Sequence, residues 1–293
     1  MWTAFASTCV TSSMFITALA PNFLALELVS RTAKLGLSWT EWFIGFMPAG
    51  LMLILVLPFL IYKIYPPEIR FSREVQSWAA QELQSLGRLT VMELTMALLA
   101  MLALALWVFG GRIIDPTTVV GVIISLMLIT GVISWDEVLA NKHAWNVLIW
   151  FATLVALADG LNRTGFVAWV ARSAAAHLTR FSPLVVMVIL VAVFYLIHYL
   201  FASLTAHTTA VLPVILAAGI AVPGLPLKPF AMLLCYSLGI MGVLTPYATG
   251  PAPVYFGSGY VSRRDFWTLG LIFGTIFLMV LLGLEVPFLL SIH

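Results

Sequence analysis

At 293 residues, 62% hydrophobic and 9% charged, with a mean hydropathy of +1.08, the chain is far from a soluble domain, where about 25% of residues are charged. A net charge of +2 offers no basic surface for nucleic acid, and no soluble domain fits between the apolar segments. What remains is an all-α polytopic membrane protein.

Residues 1–29 carry no charge before Glu27 and are rich in Ser and Thr; ALAPN at 18–22 breaks this helix late in its run. A second span covers 43–62. Residues 63–92 form one long polar loop that opens with Pro66-Pro67, with Ser72 placed to N-cap a helix. Val75, Trp78, Ala79, Leu83 and Leu86 share one face of that helix while Arg73, Glu74, Gln81 and Glu82 point elsewhere, the pattern of a helix lying on the membrane surface. Spans follow at about 93–110, 115–134 and 145–161, then a second interfacial helix at 164–182, where Phe166, Val170 and Ala174 oppose Arg172, His177 and Arg180. A span from 230 is broken at TPYATGPAP (245–253), and a last span covers 266–290. Trp39, Trp42, Trp135, Trp145 and Trp267 fall near span ends, where aromatic belts form. Lys63, Arg70, Arg73 and Arg88 share a side with Arg263-Arg264, which the positive-inside rule makes cytoplasmic. Cys9 and Cys235 both lie in apolar segments, against a disulfide framework or a metal cluster.

The segment 183–222 is different in kind. Pro183 to Phe201 is an apolar run of span length, followed by a polar interruption, FASLTAHTT at 201–209. Only AVLPVILAAGIAV (210–222) comes after it before PGLPLKP. A crossing needs about 20 apolar residues, so this arm reads as the return of a re-entrant hairpin with its polar tip near mid-membrane. Non-helical backbone survives there only inside protein or beside a wet cavity, which is how carriers build substrate sites.

TALAPN (17–22) and ATGPAP (248–253) each put a proline after a small residue late in a helix, with Pro21 over Pro251 and Ala20 over Gly250. This points to an internal repeat in which each broken helix faces a hairpin tip. The second pair is complete, with tip 203–207 facing break 248–251; the hairpin for the first break would lie before Met1. No basic n-region or cleavage site opens the chain. Two readings stay open, a native short protein and a reading frame cut at an internal Met; the second is preferred.

FASLTAHTTAVLPVILA (201–217) and GVLTPYATGPAPVYFGSGYVSRRDFW (242–267), with TSSMFITALAPN (11–22) and NKHAWNVLIWFATLVALADGLNRTGF (141–166), resemble the divalent anion/sodium symporter family, in particular its bacterial citrate/succinate and tartrate/succinate antiporter branch. The likeness runs through the whole chain and corresponds to the C-terminal three-fifths of a family member. It implies inverted repeats, a dimerising scaffold and a mobile transport domain in the bacterial inner membrane. The expected division is 1–62 as the end of the first repeat, 63–92 as the interfacial loop and 93–293 as the second repeat, with a broken helix at 230–256. The implied substrate is a small di- or tricarboxylate, and the implied contacts are Ser203, Leu204, Thr205, Thr208, Thr249, Gly250 and Pro251, with Thr17, Ala20, Pro21 and Asn22 from the first break. Ser203 and Ala248 form a candidate cation site. The family's tip motif is Ser-Asn-Thr, whereas this chain has Ser203-Leu204-Thr205; Leu204 has no side-chain oxygen for sodium, which favours anion exchange over sodium symport. An inactive remnant is the other alternative.

For such a substrate no Lys or Arg stands within the spans, so its charge must meet hydroxyls, amides and the N-terminus of the helix that restarts after the tip. Gly250 would let a ligand approach the backbone. Each hydroxyl has a structural alternative, back-bonding to the i−4 carbonyl. His207 reads as a packing residue with proton transfer as its alternative, His198 as structural, and Asp159-Gly160 as a helix end. An intramembrane enzyme is disfavoured: HExxH, GxSxG and paired intramembrane aspartates are all missing.

Overall fold

The computed structural model describes residues 1–67, 73–110, 114–166, 168–169, 173 and 180–292. Among the described residues all regular structure is helical. The chain divides into two compact units, one of Met1–Ile61 with Leu148–His293 and one of Tyr62–Val147.

In the first unit, α1 (Trp2–Met14) ends where Phe15 turns extended, and a 3-10 turn (Ile16–Ala18) follows. Leu19 is extended again before α2 (Ala20–Ala33) restarts with Pro21 in its first turn. Proline is favoured there because a first-turn amide has no intrahelical partner. The break expected at 18–22 is thus present, and its proline opens the second helix. Next, α3 (Trp39–Ile64) starts earlier than the expected 43. The cause is a reciprocal cap: Ser38 Oγ accepts Glu41 N–H at 3.2 Å and Glu41 Oε2 accepts Ser38 N–H at 2.9 Å.

The second unit contains α4 (Arg73–Leu86), α5 (Val91–Phe109), α6 (Pro116–Ile129) and α7 (Trp135–Ala140). Trp78, Leu83 and Leu86 of α4 are all exposed; the expected cap Ser72 and the Val75 side chain lie outside the described residues. Thr90 and Glu93 cap α5, which packs on α6 through Ala103, Val119 and Ile123. The rest of α5, including Leu94, Leu98 and Met101, is exposed, apolar surface suited to lipid. Helix α6 stops at Ile129, short of the expected 134, because Gly131 turns left-handed at φ 72°. Hydrogen bonds from Ser134 cap α7 and hold the Glu137 carboxyl below its ordinary range.

Helix α8 (Lys142–Arg163) runs through the expected 145–161 span. The second interfacial helix expected at 164–182 falls largely outside the described residues. The first unit continues with α9 (Pro183–Leu196), extended by a 3-10 turn (Ile197–Leu200), and then α10 (Leu204–Ile220). After these come α11 (Leu227–Ile240) with its 3-10 turn (Met241–Val243), and α12 (Ala252–Gly257). The chain closes with α13 (Arg263–Val280), a π turn (Leu281–Glu285) and α14 (Val286–Ile292). Among the described residues, four stretches are long and apolar enough to cross a membrane: Trp39–Ile64, Val91–Phe109, Pro183–Leu200 and Arg263–Ile292. In the first unit α10 lies along α2, α1 lies along α11, and α9 packs on both α10 and α11. Helix α11 is the centre of this packing and is buried from Pro229 to Ile240.

Candidate substrate site

Segment 183–222 folds as a helical hairpin. A Cβ on Gly224, just past α10, would lie 3.7 Å from Pro183 Cγ at the start of α9; the arms are antiparallel and both ends return to one place. The tip is smaller than the polar interruption suggested. Only Phe201, Ala202 and Ser203 are non-helical, and α10 takes in Thr205 to Thr209. Ser203 caps it, its Oγ accepting Ala206 N–H at 3.3 Å. Thr208 and Thr209 donate their hydroxyls to Leu204 and Thr205 carbonyls at 2.7 and 2.8 Å, which absorbs polar side chains into a helix.

This corrects the expectation for Thr208. Its hydroxyl is fully buried and its single proton is committed to Leu204 O, so it is no donor for a ligand. Leu204 is buried apolar surface beneath the tip. Ser203 is exposed and Thr205 half-buried; among the described residues the Thr205 hydroxyl makes no hydrogen bond, and Ser203 keeps its proton.

Opposite lies the break between α11 and α12. Two hydrogen bonds tie it to the end of the hairpin's first arm: His198 Nε2 donates to Ala248 O at 2.9 Å, and Tyr247 Oη donates to Tyr199 O at 3.2 Å. A carbonyl only accepts, so the proton of His198 sits on Nε2. The histidine expected to be merely structural therefore joins the two walls. His207 is fully buried and packs edge-on against the rings of Phe194, His198 and Phe201 at 4.5, 5.0 and 5.1 Å, while neither ring nitrogen has a hydrogen-bond partner among the described residues. Thr249 is nearly buried, its hydroxyl unbonded among the described residues; a Cβ on Gly250 would meet open space. Pro251 caps α12. The Ala248 carbonyl, expected as a cation ligand, is already engaged by an imidazole N–H. Leu204 brings no side-chain oxygen to this corner.

The first break is built otherwise. Asn22 is fully buried, and its Nδ2 donates to Ser12 O and Phe15 O at 2.9 and 3.1 Å, carbonyls at the end of α1, while its Oδ1 has no partner among the described residues. Asn22 thus stitches the break together. Pro21 is buried, Ala20 exposed and Thr17 half-buried, the Thr17 hydroxyl unbonded among the described residues. Ser13, one turn earlier, bonds into α11: Ser13 Oγ donates to Tyr236 O at 2.6 Å and accepts Ile240 N–H at 3.0 Å.

Sequence reasoning passed over Glu285. It is a fully buried carboxyl in the π turn of the last span, and its Oε1 accepts Ala49 N–H at 2.7 Å beside the helix-kinking Pro48. As the one acidic residue within the expected 266–290 span, it carried a readable signal, because intramembrane charge is expensive.

A helical hairpin set against a broken helix, with a second break earlier in the chain, is the architecture of an all-helical polytopic membrane protein. The chain belongs to the family described as "Sodium:sulfate symporter transmembrane region", whose model matches residues 1–290. It is 48% identical over 289 residues to a citrate/succinate antiporter of Escherichia coli (strain K12), covering 99% of this chain and 59% of that protein. It is 46% identical over 281 residues to an L-tartrate/succinate antiporter of the same strain, covering 96% of this chain and 58% of that protein. The L-tartrate/succinate antiporter of Shigella flexneri shows the same 46% identity. The chain thus spans about three-fifths of the length of the curated relatives it matches.

Proposed function

We propose that the chain forms the carboxylate-binding part of a secondary carrier that exchanges di- or tricarboxylates such as succinate, tartrate, citrate or malate, and that it is not an enzyme. What supports this reading is the pair of hydrogen bonds that tie the hairpin, at His198 and Tyr199, to the break, at Ala248 and Tyr247, next to the tip's Ser203 and Thr205 and the break's Thr249 and Gly250. Residues 1–26, 183–227 and 229–262, which supply both breaks and the hairpin, contain no Asp, Glu, Lys or Arg. A carboxylate entering there meets no fixed opposite charge. Its oxygens are met by free hydroxyls and by the amides at the N-terminus of α10, whose dipole favours an anion.

Exchange is favoured over sodium coupling by the same residues. Leu204 has no side-chain oxygen to offer, and the Ala248 carbonyl receives a hydrogen bond from His198. The relatives' names support carboxylate exchange as well. In this reading the carrier works as a homodimer in lipid, with the exposed apolar face of α5 against lipid or a second copy.

The test is counterflow. Liposomes loaded with succinate and containing the purified chain take up labelled tartrate, citrate or malate without a sodium gradient. No counterflow with any of these acids overturns the reading, and uptake that depends strictly on sodium overturns its exchange part.

A further inference from the structure

The polar contacts between the two broken helices converge on one residue, Ile240. In an α-helix Ile240 N–H bonds to Tyr236 O. The Ser13 hydroxyl, from α1, clamps both groups, donating to Tyr236 O at 2.6 Å and accepting from Ile240 N–H at 3.0 Å. The α-helix runs through Ile240, and Met241 N–H bonds to Ser237 O, so the clamp sits on the last α-helical turn. The helix tightens to a 3-10 turn at the next residue, Met241, and the break follows. On the other side of the same residue, Tyr195 Oη from the hairpin arm α9 donates to Gly274 O at 3.1 Å and to Ile240 O at 3.4 Å.

The crossing is built for close approach. A Cβ on Gly239 would fall on Ser13 Oγ, 2.5 Å from Ser13 N and 2.8 Å from Ser12 C. Ser13 is held from a third side as well, since Trp42 Nε1 donates to its carbonyl at 2.8 Å, while Tyr236 Oη donates to Trp42 O at 3.0 Å. Ser13 is fully buried. It lies two residues before Phe15, where the first break begins, and Ile240 lies just before the second.

We propose that Ser13 is a positioning residue for the carboxylate site, its hydroxyl fixing the last turn of α11 and so setting the second break relative to the first, with Tyr195 bracing the same peptide from the hairpin. The inference rests on the carboxylate reading above. Ser13 touches no substrate; it acts through Ile240 on Ala248, Thr249 and Gly250. In Ser13→Ala, Tyr236 O and Ile240 N–H keep each other as partners within the α-helix, so the tie to α1 is lost without leaving an unpaired group. The signature is therefore displaced function in a folded protein.

The test is exchange kinetics in proteoliposomes for the wild type, Ser13→Ala and Tyr195→Phe, with thermal unfolding of each in detergent and hydrogen exchange of the peptide containing Ile240. Ser13→Ala is expected to raise KM about tenfold with kcat and Tm little changed, and to alter exchange at Ile240. Tyr195→Phe is expected to raise KM by a smaller factor, and the double variant by less than the product. A wild-type KM in Ser13→Ala overturns the inference, as does a fall in Tm at unchanged KM. If Ser13→Ala does not fold, Tyr195→Phe decides: an unchanged KM overturns the inference and a raised one supports it. Failure of the wild type to exchange any of the acids overturns the carboxylate reading, and this inference with it.

Discussion

The two broken helices share a plan and spend their polar groups differently. Both run helix, 3-10 turn, extended or irregular stretch, then a new helix opened by a proline. In the first break Asn22 donates to Ser12 O and Phe15 O, and Ser13 reaches across to α11. In the second, Gly250 faces open space, the nearly buried Thr249 leaves its hydroxyl unbonded among the described residues, and the support comes from outside, from His198 and Tyr199 of the hairpin. A buried polar group left unpaired is costly, so a break either satisfies itself or keeps its groups for something that arrives. Within this chain the first break does mainly the former and the second mainly the latter.

That contrast can be broken experimentally. The largest effect is expected where the two breaks meet: Gly239→Val forces a side chain into Ser13 and its backbone, at least the ~1–3 kcal/mol of ordinary overpacking. It should abolish a monodisperse peak in size-exclusion chromatography. Next comes Asn22→Leu, which strips Ser12 O of its side-chain donor and leaves Phe15 O with Ala18 N–H alone; it should lower stability by ~1–3 kcal/mol, read as a drop in the Tm of the solubilised protein. In the second break and at the tip the sign of the contrast reverses. Thr205→Val, nearly isosteric, should weaken carboxylate binding by tenfold or more, about 1.4 kcal/mol or above, with Tm almost unchanged in the same assay. The smallest effect is expected for Thr208→Val, because that hydroxyl already serves Leu204 O; titration calorimetry should give a Kd close to that of wild type. A loss of binding in Thr208→Val equal to that in Thr205→Val would show that the whole tip, and not its free hydroxyls, makes the site.

Much of this was legible in the residues. The hairpin followed from the length of two apolar arms, and the two breaks from Pro21 and Pro251 beside small residues. The extent of the tip was not legible. FASLTAHTT reads as non-helical because Ser and Thr favour caps and turns, yet back-bonding at i−4 lets Thr208 and Thr209 continue a helix. Hydroxyls of one chemical type thus separate into free ones, at Ser203 and Thr205, and spent ones, at Thr208 and Thr209. Asn22 reads from sequence as a ligand contact, but its amide is turned onto its own helix end.

The sequence by itself determined what local chemistry dictates: an apolar all-helical chain, where it must break, and that carboxylate charge could not be met by basic side chains. Only the tertiary structure decided which polar groups remain free. His198 is paired to Ala248 from 50 residues away, and Ser13 to Tyr236 and Ile240 from more than 220. The reason is physical: a hydroxyl or imidazole in an apolar interior takes the nearest partner, and proximity across the fold carries no signature along the chain.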